Sequence, residues 1–257
     1  MAKRSRRIVL KFGSGILSNP AGNGLDARQF VRLGREVAAL VRAGHECLIV
    51  SSGAVAAGMA ALGLRERPAG LAARQACAAV GQSQLMHRYA TVFARHGLSV
   101  AQLLLTHGDL DSRTRHDNAR NTLEHLFRQR RVVPVINEND SVAVEELNFG
   151  DNDRLSAEVA ALVRADLLVI LTSVDGLLDE KGRVVPEVRD FGAVNALVRS
   201  EVGHVSRGGM VTKLQAARLA VAAGIPAHIA SGRKPGQIAA IVAGKAAGTR
   251  FPAKVRR

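Results

Sequence analysis

Flat side chains are scarce in this sequence: seven Phe, one Tyr and no Trp among 257 residues. Without aromatic platforms the usual means of stacking single-stranded nucleic acid is missing, and Ala, Val and Leu must fill the core. Cysteine is scarcer still. Cys47 and Cys77 stand alone, too few for a disulfide framework or a cysteine-based metal site; both lie in apolar context and read as buried thiols. No run of 18 uninterrupted apolar residues exists to cross a bilayer. The opening MAKRSRRIVLKFGSG has charge but too short an apolar run for a secretory signal. A cytoplasmic protein without membrane contact is expected. Acidic residues are the minority, 22 against 36 Lys plus Arg, for a formal charge of +14. Such an excess raises nucleic acid as a partner. The basic residues are scattered, however, apart from KRSRR (3–7) and KVRR (254–257), so the expected reading is an Arg-rich solvated surface with a bias toward small anions. The eight His are dispersed, with no H-E-x-x-H pair, and no metal ligands are assigned.

What is present is alternation. Hydrophobic residues make up 47% of the chain, enough for a sizeable core. Strand-like runs occur at RIVLKF (7–12), ECLIVS (46–51), SVAQLLL (99–105), RVVPVI (131–136) and DLLVILT (166–172). Helical periodicity falls between them: from an Asp26 cap to about Ala43 with Gly44 as the stop, then 54–62, 70–96 ended by Gly97, 113–129 and 153–164. Beyond residue 172 the style changes. VDG (174–176) and EKG (180–182) are turn signals, with short β-like pieces, LLD and RVVPEV, around them. A helix at 209–223, the strand AHIA (227–230), a helix from Pro235 and a last strand GTRF (248–251) complete the chain. Alternating β and α elements predict an α/β fold: a largely parallel open sheet sandwiched by helices. The expected organisation is a single domain, 1–257, with two lobes dividing near residue 172.

In an open parallel sheet, ligands gather at the carboxyl ends of the strands. The first strand ends in Lys11-Phe-Gly-Ser-Gly15. Glycines let backbone N–H groups approach an anion and a lysine adds a point charge; the same residues also suit a plain turn. Neither G-x-G-x-x-G nor G-x-x-x-x-G-K-[ST] occurs, which excludes the dinucleotide fingerprint and the P-loop. The second strand ends in SSGAVAAG (51–58), either an ordinary Ser cap or an anion site at a helix start. The segment VINENDSVAVEELNFGDNDRLSA (135–157) crowds carboxylates and amides onto two strand-to-helix connections. Together they fit a polar ligand with an ammonium group, with Asp140 pairing to it, Asn152 donating and accepting, and Asp153 orienting lysines. In SRGGMVTKLQAA (206–217), Thr212 and Lys213 are read into the first turn of a helix, where a cation is disfavoured by the helix dipole unless a polyphosphate lies alongside.

The motifs VLKFGSGIL, SSGAVAAG, QACAAVGQ (75–82), LLLT followed by ARNTL (119–123), VINENDSVA, FGDNDRLSA and GGMVTKLQAA with GIPAHIASG (224–232) span nearly the whole chain in one order. In this combination the chain resembles the amino-acid kinase family, and within it the branch that phosphorylates the side-chain carboxylate of glutamate, the first step of proline synthesis. N-acetylglutamate kinases and uridylate kinases show a glycine cluster after the second strand, where this chain has SSGA. The resemblance implies that Lys11 and Lys213 neutralise the migrating phosphoryl group while Asp153 holds them. It implies that Ser52, Gly53, Asp140 and Asn152 bind L-glutamate. ATP would be held by Lys11, Gly13, Thr172, Ser173, Arg207, Gly208, Gly209, Met210, Val211, Thr212 and Lys213. Mg2+ would accompany ATP with no protein ligand assigned, the product would pass to a glutamyl phosphate reductase, and a homo-oligomer (dimer or tetramer) is implied. Three departures stand out. Ser173 replaces a usual Asp, Arg207 replaces a usual Thr, and the sequence stops at Arg257 without the RNA-binding-like PUA domain of many relatives. A non-catalytic sensor of amino acid or nucleotide is the alternative of a different class.

Overall fold

A computed structural model describes residues 5–143, 151–192, 194 and 207–253. The strands β1 (Arg7–Phe12), β2 (Glu46–Val50), β3 (Ser99–Leu105), β4 (Val132–Glu138), β5 (Leu167–Thr172), β6 (Ala227–Ser231) and β7 (Thr249–Phe251) form one seven-stranded sheet in the order β3-β4-β2-β1-β5-β6-β7. Every neighbouring pair is parallel except β6 with β7. The expected largely parallel sheet is therefore what this sequence forms. Central strands β1 and β5 are buried almost end to end, because helices cover both faces, and that is why their sequences read as unbroken apolar runs.

The helices are α1 (Ser14–Leu17), α2 (Ala27–Arg42), α3 (Ala54–Ala61), α4 (Leu71–Ala94), α5 (His107–Asp111), α6 (Arg113–Arg128), α7 (Asp151–Leu162), α8 (Arg207–Ala222) and α9 (Gln237–Val242). They bury two apolar cores. One gathers Ile8, Leu10 and Ile49 of the sheet with Phe30, Leu33, Leu85, Tyr89 and Phe93 of α2 and α4. The other gathers Val9, Leu48 and Ile170 with Leu123, Phe127, Leu155, Val159 and Ala217 of α6, α7 and α8. Side chains alternate along a strand, so Lys11 shares the face of Val9. The α7 and α8 helices lie on that face, and this places Lys11 toward their N-terminal ends.

Local signals account for most boundaries. Asp26 caps α2, accepting from the N–H groups of Arg28 at 3.0 Å and Gln29 at 3.2 Å. Gly44 and Gly97 follow the ends of α2 and α4 in left-handed conformation, as C-terminal glycines do. Differences from expectation are informative. β4 continues through Asn137 and Glu138, since Leu104 and Leu105 of β3 offer pairing partners that far. LLD and RVVPEV make only isolated bridges, Leu178 to Val184 and Glu187 to Arg250. The unexpected α5 rests on a capping box: Thr106 Oγ1 accepts from Asp109 N at 3.2 Å, and Thr106 N donates to Asp109 Oδ2 at 2.8 Å. α3 and α4 cross at Gly58 and Gly81. A Cβ on Gly58 would run into the Cys77 carbonyl, and one on Gly81 into the Ala54 carbonyl. This crossing fixes the start of α3, where the second strand delivers Ser52 and Gly53.

Candidate active site

Because β1, β2, β4 and β5 run parallel, their carboxyl ends open on one edge of the sheet. A cleft of about 710 Å³ lies there. Its lining draws on the turn after β1, the β2–α3 junction, the end of β4, the start of α7, the end of β5 and the start of α8.

Asp153 stands at the centre. It is the third residue of α7 and 1% exposed, in the first turn, where the helix dipole favours an anion. Lys11 Nζ lies 2.5 Å from Asp153 Oδ1, and Lys213 Nζ lies 3.1 Å from Oδ2. Thr212 Oγ1 donates to Oδ2 at 2.8 Å. Lys213 also donates to the Gly209 carbonyl at 2.7 Å. Burial pushes the Lys11 ammonium below its ordinary pKa; Asp153 opposes that shift and the Lys213 charge adds to it. Burial alone would raise the Asp153 carboxyl, but the charges of Lys11 and Lys213 and the Thr212 hydrogen bond hold it below the usual carboxylate range. The result is a fixed anion with two ammonium groups from opposite ends of the chain, both at the cleft.

The sequence reading put Thr212 and Lys213 in the first turn of their helix. α8 begins at Arg207, so they occupy the second turn, where the dipole no longer opposes a cation strongly. What holds Lys213 is Asp153. Lys11, Gly13, Ser52, Gly53, Asp140, Asn152, Asp153, Thr172, Ser173, Gly209, Met210, Thr212 and Lys213 all line the cleft. Val211 does not; it is 37% exposed. Arg207 and Gly208 open α8, and beyond that backbone assignment they lie outside the described residues, as do 144–150 of the β4–α7 connection.

The glycines carry the backbone close to these charges. A Cβ on Gly13 would sit 3.4 Å from Lys11 Nζ. The Gly13 N–H is occupied by the Leu171 carbonyl at 3.3 Å, so any N–H offered to an anion comes from the opening of α1, whose first groups have no intrahelical partner. Gly53 has φ 103°, a left-handed conformation that a side chain would strain. It turns the chain from β2 into α3.

The cleft is also lined by residues the sequence reading did not assign. Asn137 is 1% exposed, and its Nδ2 donates to Gln82 Oε1 at 2.8 Å. Asn137 Oδ1 and Asn152 Oδ1 are buried without a hydrogen-bond partner among the described residues. A group with several N–H bonds would satisfy both. Asn137 sat inside VINEND, and its strand-end position could have marked it. Arg65 and Arg67, on the α3–α4 connection, also line the cleft; no motif marks them. Burial and the nearby Arg74 charge lower the Arg67 pKa, with Asp140 acting the other way.

Comparison with known proteins agrees with this architecture. The amino acid kinase family matches residues 6–231. The glutamate 5-kinase of Chromohalobacter salexigens is 49% identical over 254 residues, covering 96% of this chain and 66% of that protein. The glutamate 5-kinase of Thermus thermophilus is 47% identical over 258 residues, covering 98% of this chain and 69% of that one. The present chain thus spans about two thirds of the length of these relatives. Among solved structures, the UMP kinase of Bacillus anthracis superposes with a TM-score of 0.63 at 16% identity, covering 98% of both chains, a likeness of fold. With its family match, its sheet order and two lysines converging on one buried aspartate, the chain belongs to the amino acid kinase family.

Proposed function

We propose that this chain transfers the γ-phosphoryl group of ATP to the γ-carboxylate of L-glutamate, giving L-glutamyl 5-phosphate for proline synthesis. The observation that carries the reading is the Lys11–Asp153–Lys213 arrangement, set in a cleft that Asp140, Asn137 and Asn152 also line. The two lysines suit a polyphosphate, and the Asp140 carboxylate with the two Asn acceptors suits an ammonium group. The identity to glutamate 5-kinases supports the choice of acid.

The acceptor carboxylate is ionised at neutral pH, so no general base is needed. A γ-carboxylate oxygen forms a bond to the γ-phosphorus, the bond to the β–γ bridging oxygen breaks, and ADP leaves with that electron pair. No proton moves. The obstacle is repulsion between two anions, and the protein's contribution is charge placement and alignment. Lys11 and Lys213 supply positive charge; Asp153 keeps both in position. Thr172 and Ser173 at the end of β5, with Gly209, Met210 and Thr212, line the nucleotide side. Ser52 and Gly53, at the start of α3, line the acid side. In this reading residues to about 171 hold the acid and those from 172 hold the nucleotide. Magnesium, when bound, supplies further charge neutralisation. Among the described residues no three His, Cys, Asp or Glu side chains form a cage for a metal. The acyl phosphate product is reactive, so a reductase that consumes it directly is the natural partner.

The test is ATP-dependent hydroxamate formation in hydroxylamine with L-glutamate, N-acetyl-L-glutamate and L-aspartate side by side. Turnover is expected with glutamate. N-acetylation removes the ammonium that Asp140, Asn137 and Asn152 await, so that substrate should be poor. Faster turnover of N-acetylglutamate, or none of glutamate, would overturn the assignment.

A further inference from the structure

We infer that Tyr89 is a positioning residue for the acid site: through the Ser51 hydroxyl it fixes the orientation of the Ser52–Gly53 peptide, and with it the backbone N–H that the β2–α3 junction offers the substrate. This rests on the proposed reading, in which Ser52 and Gly53 line the acid side of the cleft.

Tyr89 is the one tyrosine of the chain and stands on α4, about two turns beyond the crossing at Gly81. It is 3% exposed. Its ring lies edge-on to Phe30 at 4.9 Å between centroids and stacks on Phe93 at 6.3 Å. A phenylalanine would fill that space as well without burying a hydroxyl, which is unfavourable unless the hydroxyl is bonded. The Tyr89 hydroxyl lies 2.8 Å from Ser51 Oγ. Ser51 is itself fully buried, and its backbone N–H donates to the Ile136 carbonyl of β4 at 2.8 Å. Ser51 Oγ donates to the Ser52 carbonyl at 3.0 Å. A serine hydroxyl has a single hydrogen, so Tyr89 donates to Ser51 and Ser51 donates onward. Burial holds the phenol well above its ordinary pKa, which keeps that proton in place at neutral pH.

The relay ends on the carbonyl of the Ser52–Gly53 peptide, and this peptide needs such a hold. Gly53 sits at φ 103°, and a glycine accepts many backbone angles. The peptide plane can therefore turn over with changes confined to ψ of Ser52 and φ of Gly53. In a trans peptide the carbonyl and the N–H point in opposite directions, and no cis peptide occurs among the described residues. With its carbonyl drawn back to Ser51, the peptide turns the Gly53 N–H the other way. That N–H has no acceptor among the described residues, and Gly53 lines the cleft. A flipped peptide would offer an anionic substrate a carbonyl oxygen instead, a repulsive contact.

The experiment measures the glutamate KM, the ATP KM and kcat by ADP release for the wild-type chain, Y89F, S51A, the double variant and F93L. The Gly53 amide resonance is followed by NMR in each. Wild-type turnover of glutamate tests the underlying reading separately from the role of Tyr89. Y89F keeps the ring and removes only the hydroxyl, so it should fold. Its glutamate KM should rise roughly three- to tenfold, the scale of one neutral hydrogen bond, with the ATP KM unchanged. S51A should do the same, and the double variant should be no worse than the poorer single one, because both break one relay. F93L trims the same aromatic cluster and leaves the relay intact. It should lower the thermal midpoint at least as far as Y89F does and leave the glutamate KM alone. The Gly53 resonance should shift in Y89F and S51A and hold in F93L, a result that does not depend on which acid is the substrate. An unchanged glutamate KM or an unmoved Gly53 resonance in Y89F would overturn the assignment. So would a glutamate KM raised as much by F93L as by Y89F, or losses that multiply in the double variant.

Discussion

Replacing Asp153 by Asn is the sharpest perturbation available, because it changes a charge and almost no volume. At an effective dielectric of about 20, the contacts at 2.5 and 3.1 Å correspond to ~7 and ~5 kcal/mol of Coulomb attraction. Desolvation of a carboxylate that is 1% exposed and of a lysine that is 4% exposed offsets much of that, and breaking a buried pair by removing one partner costs about 3–5 kcal/mol net. In the variant the two ammonium groups face each other with no anion between. Lys11 is the more deeply buried, and burial already pushes its pKa down; without Asp153 it falls further. The cheapest response is for Lys11 to give up its proton, which removes one of the two charges meant for the phosphoryl group. Losing a single electrostatic group of this kind costs about 10²–10³ in kcat. The sign of the pH effect follows. The needed form of Lys11 is protonated, so activity of D153N should climb as pH falls, with the rise displaced to lower pH than in the wild type, where Asp153 opposes the downward shift of Lys11. Hydroxamate formation from pH 6 to 9, with circular dichroism to confirm folding, reads both effects. A folded D153N with near-normal kcat, or with a wild-type pH profile, would refute the charge-holding role.

Four further outcomes are expected. Lys213→Ala and Lys11→Ala should each lower kcat by at least about 10² while remaining folded; normal turnover in either purified variant would remove that lysine from the mechanism. Asp140→Asn should act mainly on the glutamate KM, raising it about tenfold or more, with the ATP KM as the internal control. Gly81→Ala drives a methyl into the Ala54 carbonyl and should destabilise by about 1–3 kcal/mol, seen in the denaturant midpoint, with glutamate affinity falling because α3 and Ser52 shift. His228, buried on β6, has its pKa lowered to about 4 by burial. The unfolded chain therefore binds a proton near pH 6.5 that the folded chain refuses until about pH 4, so stability drains as pH falls across that window by up to about 3 kcal/mol. A His228→Gln variant should lose that part of the acid sensitivity; identical midpoint shifts between pH 7 and 4.5 would contradict it.

The sheet was legible because its signal is local. The apolar runs of β1, β2 and β5 can be nothing but covered strands, and Asp26, Gly44 and Gly97 mark helix ends by residue type alone. The charged centre was legible for another reason: Lys11 stands at the end of β1 and Asp153 and Lys213 near the starts of α7 and α8, and parallel topology brings such ends together. What stayed hidden was set by tertiary contact. Nothing local tells that β4 runs on to Glu138; the neighbouring strand β3 decides it. Thr212 and Lys213 were placed one turn too early because the paired glycines Gly208 and Gly209 read as loop, although the helix backbone begins at Arg207. Arg65 and Arg67 sit in a connection whose sequence says only that it is polar. Their place on the cleft comes from the α3–α4 crossing at Gly58 and Gly81.

That crossing shows how the fold divides its labour. The Lys11–Asp153–Lys213 centre stands on the end of β1, the first turn of α7 and α8, elements packed into the sheet's core, and Asp153 holds both lysines within hydrogen-bond distance. In the proposed reading the acid side draws in part on a connection, with Asp140 lying just after β4. Transition-state stabilisation fails when a charge is misplaced by about an ångström, so it belongs on rigid elements. Recognition of the substrate's head tolerates more displacement. Substitutions near Lys11, Asp153 and Lys213 should therefore register in kcat and those around Asp140 in KM, a split that follows from where each group is anchored.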